Sequence, residues 1–351
     1  MAILYVFNPE HDLALAANLS NFTSPHAGRK LRADLGCLPA LWAGNDDYVL
    51  VENVELAQKV YSRLRSRTGG SICHFVDKNE LARLDIDSVK PWGWDLALRS
   101  FLLRYGVKAV PSEADIAKIR ELSHRRQAVA LLPSLRMEGT AGESWEVVSL
   151  AELQILLEVH SHLVVKAPWS SSGRGVRFID SAFSDPQARW IQNVIERQGS
   201  VVVEPYYNKV KDFGMEFESD GKGHVSYLGL SLFHTKHGAY TGNIIASEEE
   251  KEGMINRYIS DDLLNSVKQK ICEELGLVFK GCYQGPLGVD MMVVASEEKS
   301  GFMLHPCVEI NLRRTMGHVA LSIPPFADGF PRVMQIVLTD KYRIQIRKQV
   351  R

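Results

Sequence analysis

Short apolar runs rich in β-branched and aromatic residues, at 3–7, 48–51 and 72–76, alternate with stretches of helical spacing over the first hundred residues. This alternation predicts βαβ units and a parallel sheet. Ser24 can cap a helix, Pro25 suits its first position, and Gly36 offers a left-handed stop after 31–35. A second helix is expected over 94–105, stopping at Gly106. Beyond Pro111 the pattern changes: Ser112-Glu113-Ala114-Asp115 has the form of a capping box. A boundary placed there gives an N-terminal α/β lobe over 1–111 and a second unit over 112–351. In that unit Ser149 caps a helix whose Leu150, Leu153, Leu156 and Leu157 keep helical spacing, and a strand follows at 163–166. Next come a loop at 170–175, a strand at 176–179, a helix at 185–198 and a strand at 201–207. Alternating runs at 215–218 and 224–233 bracket Asp220-Gly221-Lys222-Gly223 as a hairpin, and a helix at 261–275 leads into strands at 289–295 and 302–310.

Composition narrows the partners. At 351 residues the chain suits two or three lobes, and its 45% hydrophobic and 24% charged content is that of a globular protein. A net charge of -1 leaves no electrostatic footprint for a polyanion, so neither nucleic acid nor an anionic membrane is an expected partner. Cys37, Cys73, Cys272, Cys282 and Cys307 form no Cys-x-x-Cys pair and read as free thiols in a reducing compartment. The apolar start at 1–7 is short, has no basic leader and is broken by Asn8-Pro9-Glu10, and no apolar run approaches the roughly 20 residues that span a bilayer. A soluble cytoplasmic protein is expected. Nothing in the sequence fixes an oligomeric state, for which a homodimer is the commonest default.

A strand ending in Lys166 is followed by Ser170, Ser171, Ser172, Gly173, Arg174 and Gly175. Glycines let backbone N–H groups approach phosphate oxygens, hydroxyls add donors, and the lysine supplies a point charge, so the string has the composition of a polyphosphate cradle. A plain hairpin tip has the same composition. Because the next segment reads as a strand, neither the P-loop nor the Rossmann fingerprint fits.

Near the end of the chain Asp290 interrupts an apolar strand, and Glu309 and Asn311 lie two apart on the next. Residues two apart share a strand face, so three oxygen donors can converge, and two carboxylates with an amide suit magnesium beside phosphate oxygens. A solvated strand face is the other reading. The apolar flanks argue against it, since an unpaired buried charge is costly, and Arg313-Arg314 follows directly as a cationic pair suited to a phosphoryl group or carboxylate.

Taken in order, a lysine-ended strand with its Gly/Ser loop, a Val203-Glu204 hinge, an acid and a Glu-x-Asn-x-Arg string make the region from Ser112 onward resemble the ATP-grasp superfamily. The resemblance implies an α/β fold in which a pre-ATP-grasp lobe precedes two α+β subdomains with adenine between them. It implies that Glu204, Pro205 and Tyr207, in a hinge at 201–207, read the adenine edge, and that Lys166 serves the phosphates beneath the loop from Ser170 to Gly175. Asp290, Glu309 and Asn311 would hold two magnesium ions, with manganese a substitute. Arg313, with Arg314 and Arg174, would supply cations to the transferred phosphoryl group. The family's earlier lysine is absent, and Arg125 or Arg126 would take its place; Asp212 is either the ribose contact or a hairpin residue. The implied activity is that of a ligase which activates a small-molecule carboxylate as an acyl phosphate for attack by an amine or thiol. A kinase-like phosphotransferase and a non-catalytic nucleotide-binding protein are the alternatives.

Four further features carry no assignment. Asn8-Pro9-Glu10-His11-Asp12 follows the first strand, where α/β sheets place ligands, and Pro91-Trp92-Gly93-Trp94-Asp95 joins aromatic faces to a carboxylate. Each is a substrate loop or a structural turn. Lys236, in the polar stretch 234–243, belongs to a substrate or triphosphate loop or to a solvated one, and His318 orients substrate or caps a helix.

Overall fold

The computed structural model describes residues 2–170, 175–236, 239–296 and 301–349. Its N-terminal sheet consists of β1 (Ile3–Val6), β2 (Tyr48–Leu50), β3 (His74–Val76) and β4 (Ser88–Pro91), all parallel, in the order β3-β2-β1-β4. Both faces are covered, as a parallel sheet requires. Leu4 and Val6 pack with Leu98 and Leu102 of the helix Leu96–Arg104, while Tyr5 and Phe7 pack on the opposite side with Leu35 and Leu38. Val6 lies opposite Pro91, so the loops leaving β1 and β4 emerge side by side at the carboxyl edge.

Local signals shift slightly from their expected places. Pro25 sits at the N-cap of the helix His26–Leu35 and not at its first position, because the Ser24 hydroxyl is turned to Glu10 at 3.1 Å. Gly36 is right-handed, at φ -55, and not a left-handed stop; a Cβ there would stand 2.9 Å from the Arg32 carbonyl oxygen, so close approach explains the glycine. The helix expected from 94 begins at Leu96, because Asp95 caps it by accepting from Leu98 N–H at 2.9 Å. The capping box at Ser112 and Asp115 is present.

The small sheet holds β5 (Trp145–Val147), β6 (His162–Lys166), β7 (Val176–Asp180) and β8 (Val201–Pro205), antiparallel in the order β5-β8-β6-β7. The helices Leu150–Val159 and Asp185–Gln198 cover it through Leu153, Leu157, Ile191 and Val194. The large sheet holds β9 (Lys209–Asp220), β10 (Val225–Lys236), β11 (Ala239–Ile245), β12 (Gln284–Ala295), β13 (Phe302–Asn311), β14 (Arg332–Leu338) and β15 (Tyr342–Lys348). Its order is β13-β12-β9-β10-β11-β14-β15. Phe213, Met215 and Phe217 of β9 and Leu287, Val289 and Met291 of β12 bury against helices that include Asp261–Phe279. The strand period of two turns the residues between them to the other face.

β11, β14 and β15 extend the sheet beyond the strands legible in the sequence. A second core cluster joins Tyr5, Leu38 and Trp92 to Val319, Met334 and Ile346, so the N-terminal sheet and the last strands share apolar contacts. All five cysteines are free, and among the described residues no helix is long and apolar enough to cross a membrane.

Candidate active site

The strand register arranges the face of β9, β12 and β13 that lies opposite the helix-covered one in three rows. Asp212 pairs with Met292 and Met292 with His305; Gly214 pairs with Asp290 and Asp290 with Glu309; Glu216 pairs with Gly288 and Gly288 with Asn311. Directly opposed residues share a face, so the rows run from a His305 end through the paired carboxylates to a Glu216 end. The pairing shifts between Asp290 and Met292, and Cys307, between His305 and Glu309, packs in the apolar core on the other side.

At the middle row Asn311 Nδ2 donates to Asp290 Oδ2 at 3.1 Å. Arg125 donates from one terminal nitrogen to both Glu309 oxygens at 2.8 Å, and from the other to Ser170 Oγ at 2.7 Å and to the Ala167 carbonyl. Arg313 grips Asp12 with two bonds of 2.8 Å and donates to Asn311 Oδ1 at 2.9 Å. Burial opposes its charge, yet Asp12, Glu309 and Asp290 hold its pKa above the usual arginine value. Burial first, then the charges of Glu309 and Glu216, push the Asp290 carboxyl up to about 8. The row is short of positive charge, which a divalent cation would supply. Its donors are two carboxylates and an amide; among the described residues no group of three His, Cys, Asp or Glu side chains is placed to hold a metal. The amide turns its nitrogen to Asp290, so a cation bound between them would require it to rotate.

Toward the His305 end, Lys166 Nζ donates to Glu204 Oε2 at 2.6 Å, with both side chains buried. Ala167 N–H donates to the Gly175 carbonyl at 2.8 Å and closes the base of the glycine-serine loop; a Cβ on Gly175 would stand 2.3 Å from Ser170 Cβ. Ser171, Ser172, Gly173 and Arg174 lie outside the described residues. Pro205 ends β8 opposite Leu163. The Tyr207 hydroxyl, pushed up to about 12 chiefly by burial, accepts from Glu143 N–H at 2.7 Å, and its ring stands edge-on to His305 at 5.5 Å. His305 is fully buried with neither ring nitrogen bonded among the described residues; burial and then the Lys166 charge push it down to about 3. Asp212 accepts from Lys209 Nζ at 2.6 Å and Thr235 Oγ1 at 2.7 Å.

Other residues singled out in the sequence stand elsewhere. Arg126 turns toward Glu146 at 3.6 Å, so of the two neighbouring arginines Arg125 is the one at the carboxylates. Arg314 diverges from Arg313 and lies over the Trp42 ring at 4.7 Å, while its backbone N–H donates to the Trp92 carbonyl at 2.8 Å. His318 caps the helix Met316–Leu321 by accepting from Thr315 N–H, and its Nδ1 also lies 2.9 Å from Glu216 Oε2. The Lys236 side chain lies outside the described residues. Glu216 and His305 are the face residues that the sequence reading passed over. Both were legible in principle: polar and apolar positions alternate through Gly214-Met215-Glu216-Phe217-Glu218, and His305 lies an even four residues before Glu309.

The first of the unusual N-terminal strings meets this face, and the second holds the first in place. Asn8 Nδ2 donates to the Gly93 carbonyl at 2.8 Å and to Asp95 Oδ2 at 3.1 Å, and His11 Nδ1 lies 3.3 Å from the same oxygen. His11 and Asp12 line a cleft whose opposite wall carries Ser170, Glu309 and Asn311.

No protein-family model matches the sequence, and the search of curated proteins gave no match. Solved structures do match. A biotin carboxylase complexed with β,γ-ATP from Campylobacter jejuni is 13% identical at TM-score 0.50, over 95% of this chain and 75% of that one. A putative ATP-grasp superfamily protein from Archaeoglobus fulgidus is 11% identical at TM-score 0.50, with 100% of each chain covered. An N5-carboxyaminoimidazole synthetase from Staphylococcus aureus complexed with ADP is 13% identical at TM-score 0.49, over 96% of this chain and 82% of that one. The chain has the ATP-grasp fold. At these identities the likeness speaks for the fold alone.

Proposed function

We propose that the chain is an ATP- and magnesium-dependent ligase that activates a small-molecule carboxylate as an acyl phosphate and passes the acyl group to an amine. The observation that carries the reading is the paired carboxylates Asp290 and Glu309 with Asn311 from the adjoining row on the same sheet face, and Arg125 and Arg313 drawn in beside them. Magnesium held by these three side chains would screen the phosphate charges while the phosphoryl group transfers.

The residues divide the work along the cleft. Glu204, Pro205 and Tyr207 line the nucleobase end, with Asp212 toward the ribose. Lys166 answers the inner phosphates once ATP competes for its pairing with Glu204, and the loop from Ser170 to Gly175 excludes water above them. Arg125 takes the role of the family's earlier lysine. Arg313 exchanges Asp12 for the outer phosphoryl group, and Arg174, outside the described residues, adds a further cation. Arg314, seated on Trp42, serves substrate binding from the N-terminal side. The carboxylate oxygen attacks the terminal phosphorus, ADP leaves with the bridging electron pair, and an amine then displaces phosphate from the acyl carbon.

Hydroxylamine tests this. With Mg·ATP and the proteinogenic amino acids or short dicarboxylic acids supplied in turn, a hydroxamate should form together with ADP. ADP release with a phosphorylated product and no hydroxamate would favour a phosphotransferase instead.

A further inference from the structure

The loops after β1 and β4 hold a side chain that the reaction above leaves without a task. We propose that His11, oriented by Asp95, is the base that takes a proton from the incoming amine; this rests on the ligase reading. The strands are parallel neighbours, His11 opens the helix His11–Ala17 after β1, and Asp95 caps the helix after β4.

Asp95 is fixed from three directions: its Oδ1 accepts from Leu98 N–H at 2.9 Å, its Oδ2 from Asn8 Nδ2 at 3.1 Å, and the same Oδ2 stands 3.3 Å from His11 Nδ1. The imidazole lies flat against Gly93, where a Cβ would come within 2.6 Å of ring Nε2, so only glycine leaves room for the ring in this position. Because an ionised carboxylate only accepts, the tautomer that satisfies this contact carries its proton on Nδ1. Nε2 is left as the basic nitrogen.

His11 is 1% exposed, yet Nε2 makes no hydrogen bond among the described residues. His305 shows that an unspent imidazole can simply be enclosed in the interior. His11 instead lines the cleft with Asp12, across from Ser170, Glu309 and Asn311. The charged groups around it are Asp95 and Asp12 on the N-terminal side, with Arg313 paired to Asp12 and Arg125 paired to Glu309 opposite. The base therefore stands on the wall facing the phosphoryl-transfer machinery, where the second substrate would enter.

Such a base is needed because an alkylamine is an ammonium ion near neutrality and has no free electron pair. One proton passes to His11 Nε2 as the nitrogen pair closes on the acyl carbon. The acyl C–O bond breaks and phosphate leaves with that electron pair. A second nitrogen proton passes to the phosphate as the amide forms, and the imidazolium returns its proton to solvent. Asp95 acts as a positioning residue.

Nucleophile basicity separates this role from a structural one. Hydroxylamine is largely unprotonated near neutrality and needs no base, whereas methylamine is protonated and does. Wild type, His11→Gln and Asp95→Asn would be compared for hydroxamate and methylamide formation with Mg·ATP and the same carboxylate panel, after thermal shifts with Mg·ATP establish folding and nucleotide binding. The expected result is a loss of methylamide of about 100-fold or more in His11→Gln, a loss in the same direction in Asp95→Asn, and hydroxamate that falls far less. Methylamide at the wild-type rate in His11→Gln, or equal loss of both products despite a normal shift, would overturn the assignment. Hydroxamate without methylamide in wild type would overturn it too. No hydroxamate in wild type would instead overturn the ligase reading beneath it.

Discussion

The two faces of the large sheet are made by the same strands and obey different rules. On one face Phe213, Met215, Phe217, Leu287, Val289 and Met291 are nearly or fully buried against helices. On the other, alternate residues of the same strands are Asp212, Gly214, Glu216, Gly288 and Asp290. The first face buries apolar area, and its cost on truncation is set by cavity and transfer terms. The second gathers charge and keeps gaps open with glycine. Stability and chemistry are thus separated by one step along the strand.

The sharpest way to exploit the difference is to change one residue on each face. Glu309→Gln leaves Arg125 an acceptor, so the melting temperature should hold while magnesium-dependent turnover falls by about 100-fold or more, measured as ADP release. Phe217→Ala should do the reverse, costing about 3 to 5 kcal/mol in denaturant unfolding. Gly317→Ala gives a smaller effect. In an ordinary helix that change stabilises by about 1 kcal/mol, but here the new Cβ would stand 1.9 Å from Glu216 Oε1. Displacing this buried carboxylate should outweigh the propensity gain and make the variant less stable, by about 1 to 3 kcal/mol in the same unfolding measurement. Asp290→Asn should act with the opposite sign, and its effect should depend on pH. Asp290 has its folded pKa raised from 3.8 to about 8, so stability from this group is full below 3.8 and is lost as pH rises through about 8. In metal-free protein, melting curves across that window should therefore fall with pH more steeply in wild type than in the variant.

Legibility in the sequence follows the same division. The parallel sheet, the Ser112 capping box, the lysine-ended strand and the Glu309 and Asn311 pair were readable, because period and local chemistry are properties of neighbours along the chain. The choice between Arg125 and Arg126 was not, since it depends on which arginine the helix turn directs at Glu309 across 184 residues. The meeting of His11 with Asp95 was equally hidden, although both strings stood out, because only the adjacency of β1 and β4 unites them. β14 escaped because Val333-Met334 and Ile336-Val337-Leu338 are apolar runs without alternation, and β15, where Arg343, Gln345 and Arg347 alternate with Tyr342, Ile344 and Ile346, was passed over although its period of two was present.

The central claim is that the charged face binds ATP with magnesium, and a thermal shift of the purified protein with ATP, ADP or GTP, each with and without magnesium, tests it most directly. The expected result is a stabilisation that is selective for adenine nucleotides, grows with magnesium, and loses its magnesium dependence in Glu309→Gln. An unchanged melting temperature with every nucleotide, at concentrations up to millimolar, would contradict it.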